Sequence, residues 1–304
     1  MIVDEVGEGM NVYLAGCPSE KKRATDEIMD IYLAGAGSAG NNNAIWRNGK
    51  ENPDEAMNIF LAGLNSEQNR AYDGFSSERK IYVLESFYYM KDWMFPYIKN
   101  HWHFLLDSGA FTFMNDTKNA TGVDWDEYTE KYANFIKKND ISLFFELDID
   151  PIVGLNEVER LRIKLEKITD KQCIPVWHKS RGMDYWLKMV QEYDYVAIGG
   201  IVTQEIKRNE YSIFSKLLKI ASENNCKVHG LGFTNSSGLK KYRFYSVDST
   251  AWLYGNRGGF IYKFTGKDIV KIDKPKGKRL IAKKAAIHNF REWVKYQQYA
   301  KENL

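Results

Sequence analysis

Eight short apolar runs, separated by polar and amphipathic stretches, constrain this chain more than any other feature. They are NIFLAG (58–63), IYVLESF (81–87), FLLD (104–107), LFFELD (143–148), CIPVWH (173–178), YVAIGG (195–200), KVHGLGF (227–233) and FYSVD (244–248). Each is bounded by Gly, Pro, Asp or Asn and is apolar along most of its length, the pattern of a parallel strand buried on both faces. Helical periodicity fills several of the gaps. Residues 124–140 place Tyr128, Tyr132, Phe135 and Ile136 on one face, and residues 155–168 do the same with Val158, Leu161, Leu165 and Ile168. Residues 209–225 open with Asn209 as the cap and bury Ile213, Leu217 and Ile220. The alternation predicts an α/β fold, a (β/α)8 TIM-type barrel, with a short or missing helix between Phe233 and Phe244. A doubly wound open sheet is the alternative, but no glycine-rich phosphate loop follows an early strand.

The flanks differ from the barrel, giving an N-terminal extension (1–57), the barrel (58–262) and a basic C-terminal segment with a closing helix (263–304). The extension holds VYLAG (12–16) and IYLAG (31–35), near copies of IFLAG (59–63), at unequal spacings that do not suit a solenoid. AGAGSAGNNN (34–43) lacks the GK[ST] ending of a phosphate loop. Phe260–Phe264 reads as one more strand, and 285–302 as a helix with Ile287, Phe290, Trp293 and Val294 in its stripe. The last 42 residues carry 12 basic and 4 acidic side chains, against 8 and 13 in the first 80. Such a tail is either an electrostatic footprint for a phosphate backbone or a solvated lysine-rich face.

Three widely spaced cysteines (Cys17, Cys173, Cys226) give neither a disulfide framework nor a zinc pattern. With no 18-residue apolar stretch and an acidic start, the expectation is a cytoplasmic protein without a membrane partner.

Reactive groups of a parallel barrel sit where strands end. The runs end in Asp107-Ser108, in Glu146, Asp148 and Asp150, in His178, in Gly199-Gly200, in His229 and in Asp248. Glu146, Asp148 and Asp150 alternate, so they share a face if the strand continues through them. Converging carboxylates suit acid/base and covalent chemistry at a sugar carbon, or a divalent metal. Taken singly, an aspartate at a strand end is more often a cap or turn former. Trp177, Trp186 and Trp252 read as packing.

Four strings in order resemble the tRNA-guanine transglycosylases and their phage and bacterial relatives that insert 7-deazaguanines into DNA. LLDSGAF (105–111) looks like the family's DSGGF-type motif, and ELDIDP (146–151) like its base-recognising strand. AIGGIVTQE (197–205) is similar to its GG(L/I)xxxE pocket motif, and HGLGF with SVDS (229–249) to its GxG and nucleophile strands. The resemblance covers roughly residues 58–260. It implies a barrel enzyme that exchanges guanine for a modified base such as preQ0 through an aspartyl-glycosyl intermediate. By position it makes Asp248 the nucleophile and Asp107 the general acid/base, with Ser108 in the same motif. Asp148 would read the Watson–Crick edge of the base. The backbone around Gly199, Gly200 and Ile201 would contact it, and Glu205 would support that loop. Phe111 and His229 fall where family members stack side chains on the base, and His178 where the family often has glutamine.

The chain also departs from the family. Its tRNA enzymes carry a zinc subdomain after the nucleophile, whereas here no cysteine follows Cys226 and His288 is the one histidine after Asp248. No metal and no cofactor are therefore expected, and DNA is favoured over tRNA as the nucleic-acid partner, with a 7-deazaguanine base as the small substrate. Ala110 replaces the motif's second glycine. A tRNA-type enzyme, a nucleoside deoxyribosyltransferase and a catalytically inactive nucleic-acid-binding barrel stand as the alternatives.

Overall fold

The computed structural model of the chain describes residues 57–64, 80–109, 112, 122–276 and 278–304. Seven of the eight runs form strands: β1 (Asn58–Ala62), β2 (Ile81–Ser86), β3 (Trp102–Asp107), β4 (Val176–Trp177), β5 (Tyr195–Ile198), β6 (Lys227–Gly230) and β7 (Ser246–Ser249). All pair in parallel, in the order β3-β2-β1-β7-β6-β5-β4, and the sheet curls into a half-barrel. The helices are α1 (Phe95–Asn100), α2 (Trp125–Lys138), α3 (Asp150–Val153), α4 (Leu155–Thr169), α5 (Gly182–Glu192), α6 (Ile213–Glu223), α7 (Ser236–Lys241) and α8 (Ala251–Gly258). An antiparallel hairpin of β8 (Phe260–Phe264) and β9 (Ile269–Asp273) and a long α9 (Ala282–Asn303) complete the chain. The fold is thus α/β and barrel-like. The strings at 12–16 and 31–35, the stretch 34–43, Cys17 and Phe111 lie outside the described residues.

The run at 143–148 makes two single parallel bridges rather than a strand, Leu106 to Phe144 and Phe145 to Ile174. The reason lies in who takes the next hydrogen bonds. On the β3 side Leu106 N donates to Leu143 O and Phe145 N to Leu106 O, and on the β4 side Ile174 N donates to Phe144 O and Glu146 N to Ile174 O, at 2.8–3.1 Å. Two residues past Ile174, the Val176 N–H donates to the Glu146 side chain at 2.8 Å instead of to a backbone carbonyl. On the other side the Tyr132 hydroxyl lies 3.1 Å from Phe145 O and 3.2 Å from Leu106 O. Pro175 faces the other way, its carbonyl accepting from Ala197 N at 2.8 Å, and Pro151 in the first turn of α3 ends the run on its far side.

Strand side chains alternate between two apolar layers. Phe60, Ala62, Leu84, Leu105, Phe145, Ile174, Val176 and Ala197 form one buried cluster on the concave face. Ile59, Leu61, Val83, Val196, Ile198, Val228 and Val247 face the other way, into a larger cluster with the helices. The three tryptophans read as packing are in that outer layer and fully buried. α2 starts as expected, with Asp124 accepting from Glu127 N at 2.9 Å. α6 does not: Asn209 lies in a 3-10 turn at Arg208–Glu210, and the helix begins after Ser212. The short helix between Phe233 and Phe244 is α7, capped by Asn235.

The C-terminal helix is wedged onto the sheet. Phe290, Trp293, Val294 and Tyr296 join the outer cluster, and Ile287 is half-buried. Gln297 fills a gap where β1 and β2 diverge: its amide nitrogen donates to Ile59 O (2.5 Å) and Tyr82 O (2.8 Å), and its oxygen accepts from Tyr82 N (3.1 Å). A side chain thereby supplies the bonds a strand neighbour would make. Among the described residues no helix is long and apolar enough to cross a membrane.

Candidate active site

The C-terminal ends of β3, β5, β6 and β7, with the segments after Glu146 and β4, carry the expected site residues to one face. Asp107 closes β3, and Gly109 N donates to its Oδ2 at 3.0 Å. Gly109 has φ +84°, and a Cβ there would lie 2.9 Å from Tyr88 Cβ and 3.0 Å from the Tyr128 hydroxyl, so the motif's glycine fits a crowded turn. Burial pushes the Asp107 carboxyl up to about 6, and the negative charges of Asp248 and Asp148 push the same way, against Gly109 N–H and Ser86. Ser86 sits opposite Asp107 in the β2–β3 register. Ser108 is wholly buried; its carbonyl accepts the Tyr128 hydroxyl at 2.6 Å, while its own hydroxyl has no partner among the described residues.

Asp248 sits near the end of β7 and is 9% exposed. Its Oδ1 accepts from Gly232 N at 2.6 Å and lies 3.3 Å from His229 Nε2. The residues of HGLGF therefore serve Asp248 directly. His229 departs from the expected stacking role. It is fully buried, both ring nitrogens are engaged, and Phe60 and Phe145 stand edge-on to it with ring centroids 6.0 and 5.2 Å away.

His178 is held between two carboxylates. Its Nε2 is 2.8 and 3.0 Å from the two Asp148 oxygens, and Nδ1 is 2.9 Å from Glu205 Oε2. Burial opposes the imidazolium, but Asp148 and Glu205 outweigh it and hold the ring's pKa up at about 9. His178 is thus a cation near neutral pH that orients Asp148, rather than a free base contact. Glu205 is lowered despite its burial, because Ser180 N (2.8 Å) and His178 hold the charged form. The paired glycines make this possible. A Cβ on Gly199 would sit 2.7 Å from His178 Cε1, and one on Gly200 (φ +76°) 2.7 Å from Glu205 Oε2. Ile206 N closes the turn on Gly200 O at 3.0 Å, and Ile201 is buried beside it.

The acidic run 146–150 does not present three carboxylates together. Glu146 turns away and is buried between Arg162 (3.2 Å) and Arg181 (3.0 Å). Arg181 continues to Asp150 Oδ2 at 3.1 Å and comes within 3.8 Å of Asp148. These arginines were not expected from the sequence; Arg181 lies in a 3-10 turn just past β4, with its side chain 1% exposed. Asp148, Asp150 and His178 each offer one ligand atom within 4.8 Å of the others. His178 Nε2 is hydrogen-bonded to Asp148 and Asp150 Oδ2 to Arg181, while Asp150 Oδ1 is buried without a partner among the described residues. Of the cysteines, Cys173 and Cys226 are free and buried.

No family model matches the chain, and no curated protein does. Among solved structures, one titled "Crystal Structure of Citrate Synthase SbnG" aligns at 10% identity and a TM-score of 0.31, covering 65% of this chain and 87% of that one. A likeness this distant bears on neither the activity nor the details of the fold.

Proposed function

We propose that this chain is a base-exchanging transglycosylase that replaces guanine in DNA with a 7-deazaguanine, preQ0 or a relative. The observation that carries the reading is the meeting of Asp107 and Asp248 on one strand-end face in contrasting surroundings. Asp107, half-buried at the end of β3, is pushed up to about 6 by desolvation and so holds or releases a proton near neutral pH, while Asp248 is fixed by the Gly232 N–H and by a ring nitrogen of His229. Carboxyls in different environments divide the acid/base and nucleophile roles.

In the first step an Asp248 oxygen attacks C1′ of the target nucleotide. The C1′–N9 bond breaks, its electron pair leaves with guanine, and Asp107 supplies the proton. In the second step N9 of the incoming 7-deazaguanine attacks C1′, the ester bond to Asp248 breaks, and Asp107 takes the N9 proton. Two displacements retain configuration. Asp148, locked by cationic His178, reads the base edge, and the Gly200–Ile201 backbone backed by Glu205 forms the pocket floor. The segment at 143–146, hydrogen-bonded to β3 on one side and to the β4 lead-in on the other, supports an eight-stranded closed barrel around the concave cluster.

The basic tail supports a polymer substrate. Lys274 and Lys276 are exposed, whereas Lys271 pairs with Asp273 at 3.0 Å. The 56 residues from Ser249 to Leu304 hold no cysteine cluster of the tRNA-docking kind, and in this reading that favours DNA. The setting is the cytoplasm, the host's if the chain is phage-encoded. The test is guanine release from radiolabelled DNA, tRNA and free nucleosides, with and without a 7-deazaguanine. Release from DNA that depends on the added base supports the proposal. Release from tRNA alone, from nucleosides alone, or binding without release would each replace it with the corresponding alternative.

A further inference from the structure

Inside the barrel-like sheet a polar chain runs through an otherwise apolar cluster. Parallel pairing sets His229 opposite Ser246, and Ser246 and Asp248 project to the same face two residues apart. Tyr195, on β5, completes the row. The Tyr195 hydroxyl is 2.5 Å from Ser246 Oγ, Ser246 Oγ is 2.5 Å from His229 Nδ1, and His229 Nε2 is 3.3 Å from Asp248 Oδ1. Ser246 and His229 are fully buried. A buried polar chain is costly unless every donor and acceptor is matched, so its direction can be deduced.

Burial pushes the Tyr195 phenol above its ordinary range, so it keeps its proton, and Ser246 is its one hydrogen-bond partner among the described residues. Tyr195 therefore donates to Ser246, and the single Ser246 proton goes to His229 Nδ1. Nδ1 then accepts, which places the ring proton on Nε2, facing Asp248. The reverse direction leaves the phenol proton without an acceptor among the described residues and turns an Nε2 lone pair toward a carboxylate. Oδ1 thus receives two donors, Nε2–H and Gly232 N–H, while Oδ2 receives none among the described residues.

We infer that Tyr195, Ser246 and His229 form a positioning relay that locks His229 as its Nε2–H tautomer, pins Asp248 through Oδ1, and presents Oδ2 as the attacking oxygen. This rests on the transglycosylase reading for its consequence, though not for its geometry. His229 is a positioning residue: it touches Asp248 and not the substrate.

The test has two arms. In the first, nitrogen-15 NMR of histidine-labelled full-length protein at pH 6–8 reads the tautomer, with His229→Gln used to assign the signal. The expected pattern is a protonated Nε2 and an acceptor Nδ1, with the Nδ1 shift moving in Ser246→Ala. A protonated Nδ1, or an imidazolium across this range, overturns the relay. The second arm measures covalent adduct formation with guanine-containing DNA by intact mass. His229→Leu should slow it by tenfold or more with DNA binding unchanged. His229→Gln, whose amide can still donate to Asp248, should recover most of the rate. An unchanged rate in His229→Leu or, should that variant not fold, in Ser246→Ala, which removes the group that fixes the tautomer, overturns the positioning role. Absence of adduct from the wild-type protein overturns the transglycosylase reading and with it that role, and the tautomer arm tells the two failures apart.

Discussion

Arg181→Met is the sharpest probe of what holds the candidate site in place. Arg181 and Glu146 are 1% and 0% exposed and 3.0 Å apart, and the same guanidinium bonds Asp150 at 3.1 Å. Removing one partner of a buried ion pair costs about 3–5 kcal/mol, because the other charge stays buried. Here Arg162 remains 3.2 Å from Glu146, and Asp150 is 14% exposed and can rehydrate, so the low end applies. At about 2–4 °C per kcal/mol for chains of this order, a loss of about 3 kcal/mol lowers the melting temperature by roughly 6–12 °C. The pH dependence has a definite sign. Burial already raises Glu146 above 4.5 despite two guanidinium neighbours, and losing Arg181 raises it further. A raised carboxyl contributes stability below its unfolded value that is lost as pH rises through its folded value. The deficit of Arg181→Met should therefore be larger at pH 8 than at pH 5. Adding Glu146→Gln should recover about 1–2 kcal/mol of it. Urea unfolding followed by circular dichroism at both pH values measures this. A deficit under 1 kcal/mol at pH 8, or one that grows toward pH 5, refutes the reasoning.

Three further outcomes are expected. Gln297→Leu strips three hydrogen bonds from the backbone of Ile59 and Tyr82 and should cost about 3 kcal/mol in thermal unfolding; a loss under 1 kcal/mol contradicts its bridging role. Glu85, buried and pushed from 4.5 to about 7, contributes stability that is full below pH 4.5 and lost as pH rises through 7. At about 1.4 kcal/mol per pH unit that loss is of order 3 kcal/mol, and Glu85→Gln should flatten it in a pH series of melting temperatures. Gly200→Ala must take φ +76° and meet Glu205, so base binding should weaken at least tenfold by calorimetry while the fold survives; unchanged binding removes the pocket role of this turn.

The alternation of apolar runs made the sheet legible, because a strand buried on both faces leaves an unbroken apolar string. It misled at 143–148, where Glu146 takes the Val176 N–H and ends the ladder that its neighbours begin. Periodicity also located α2, α4 and α9, but placed the start of α6 on Asn209, which a 3-10 turn claims instead. At the site, Asp107, Asp148, His178 and Asp248 were visible as strand-end polar residues. Arg181 and Arg162 were not, since a lone arginine after a strand has no distinguishing spacing; the signal available was a fully apolar run containing Glu146, which needs a buried cation. The placement of His229 followed a motif position, whereas its partners Ser246 and Tyr195 come from other strands and become neighbours through sheet register.

The central claim is that Asp248 becomes covalently bonded to a nucleotide while Asp107 handles the proton. Intact-protein and peptide mass spectrometry after incubation with guanine-containing DNA tests it most directly. The account predicts a nucleotide-linked mass mapping to Asp248 in the wild-type protein and none in Asp248→Asn. It also predicts turnover slowed about 10²–10⁴-fold in Asp107→Asn. An Asp248→Asn protein that exchanges base at the wild-type rate, or an adduct mapped to another residue, contradicts it.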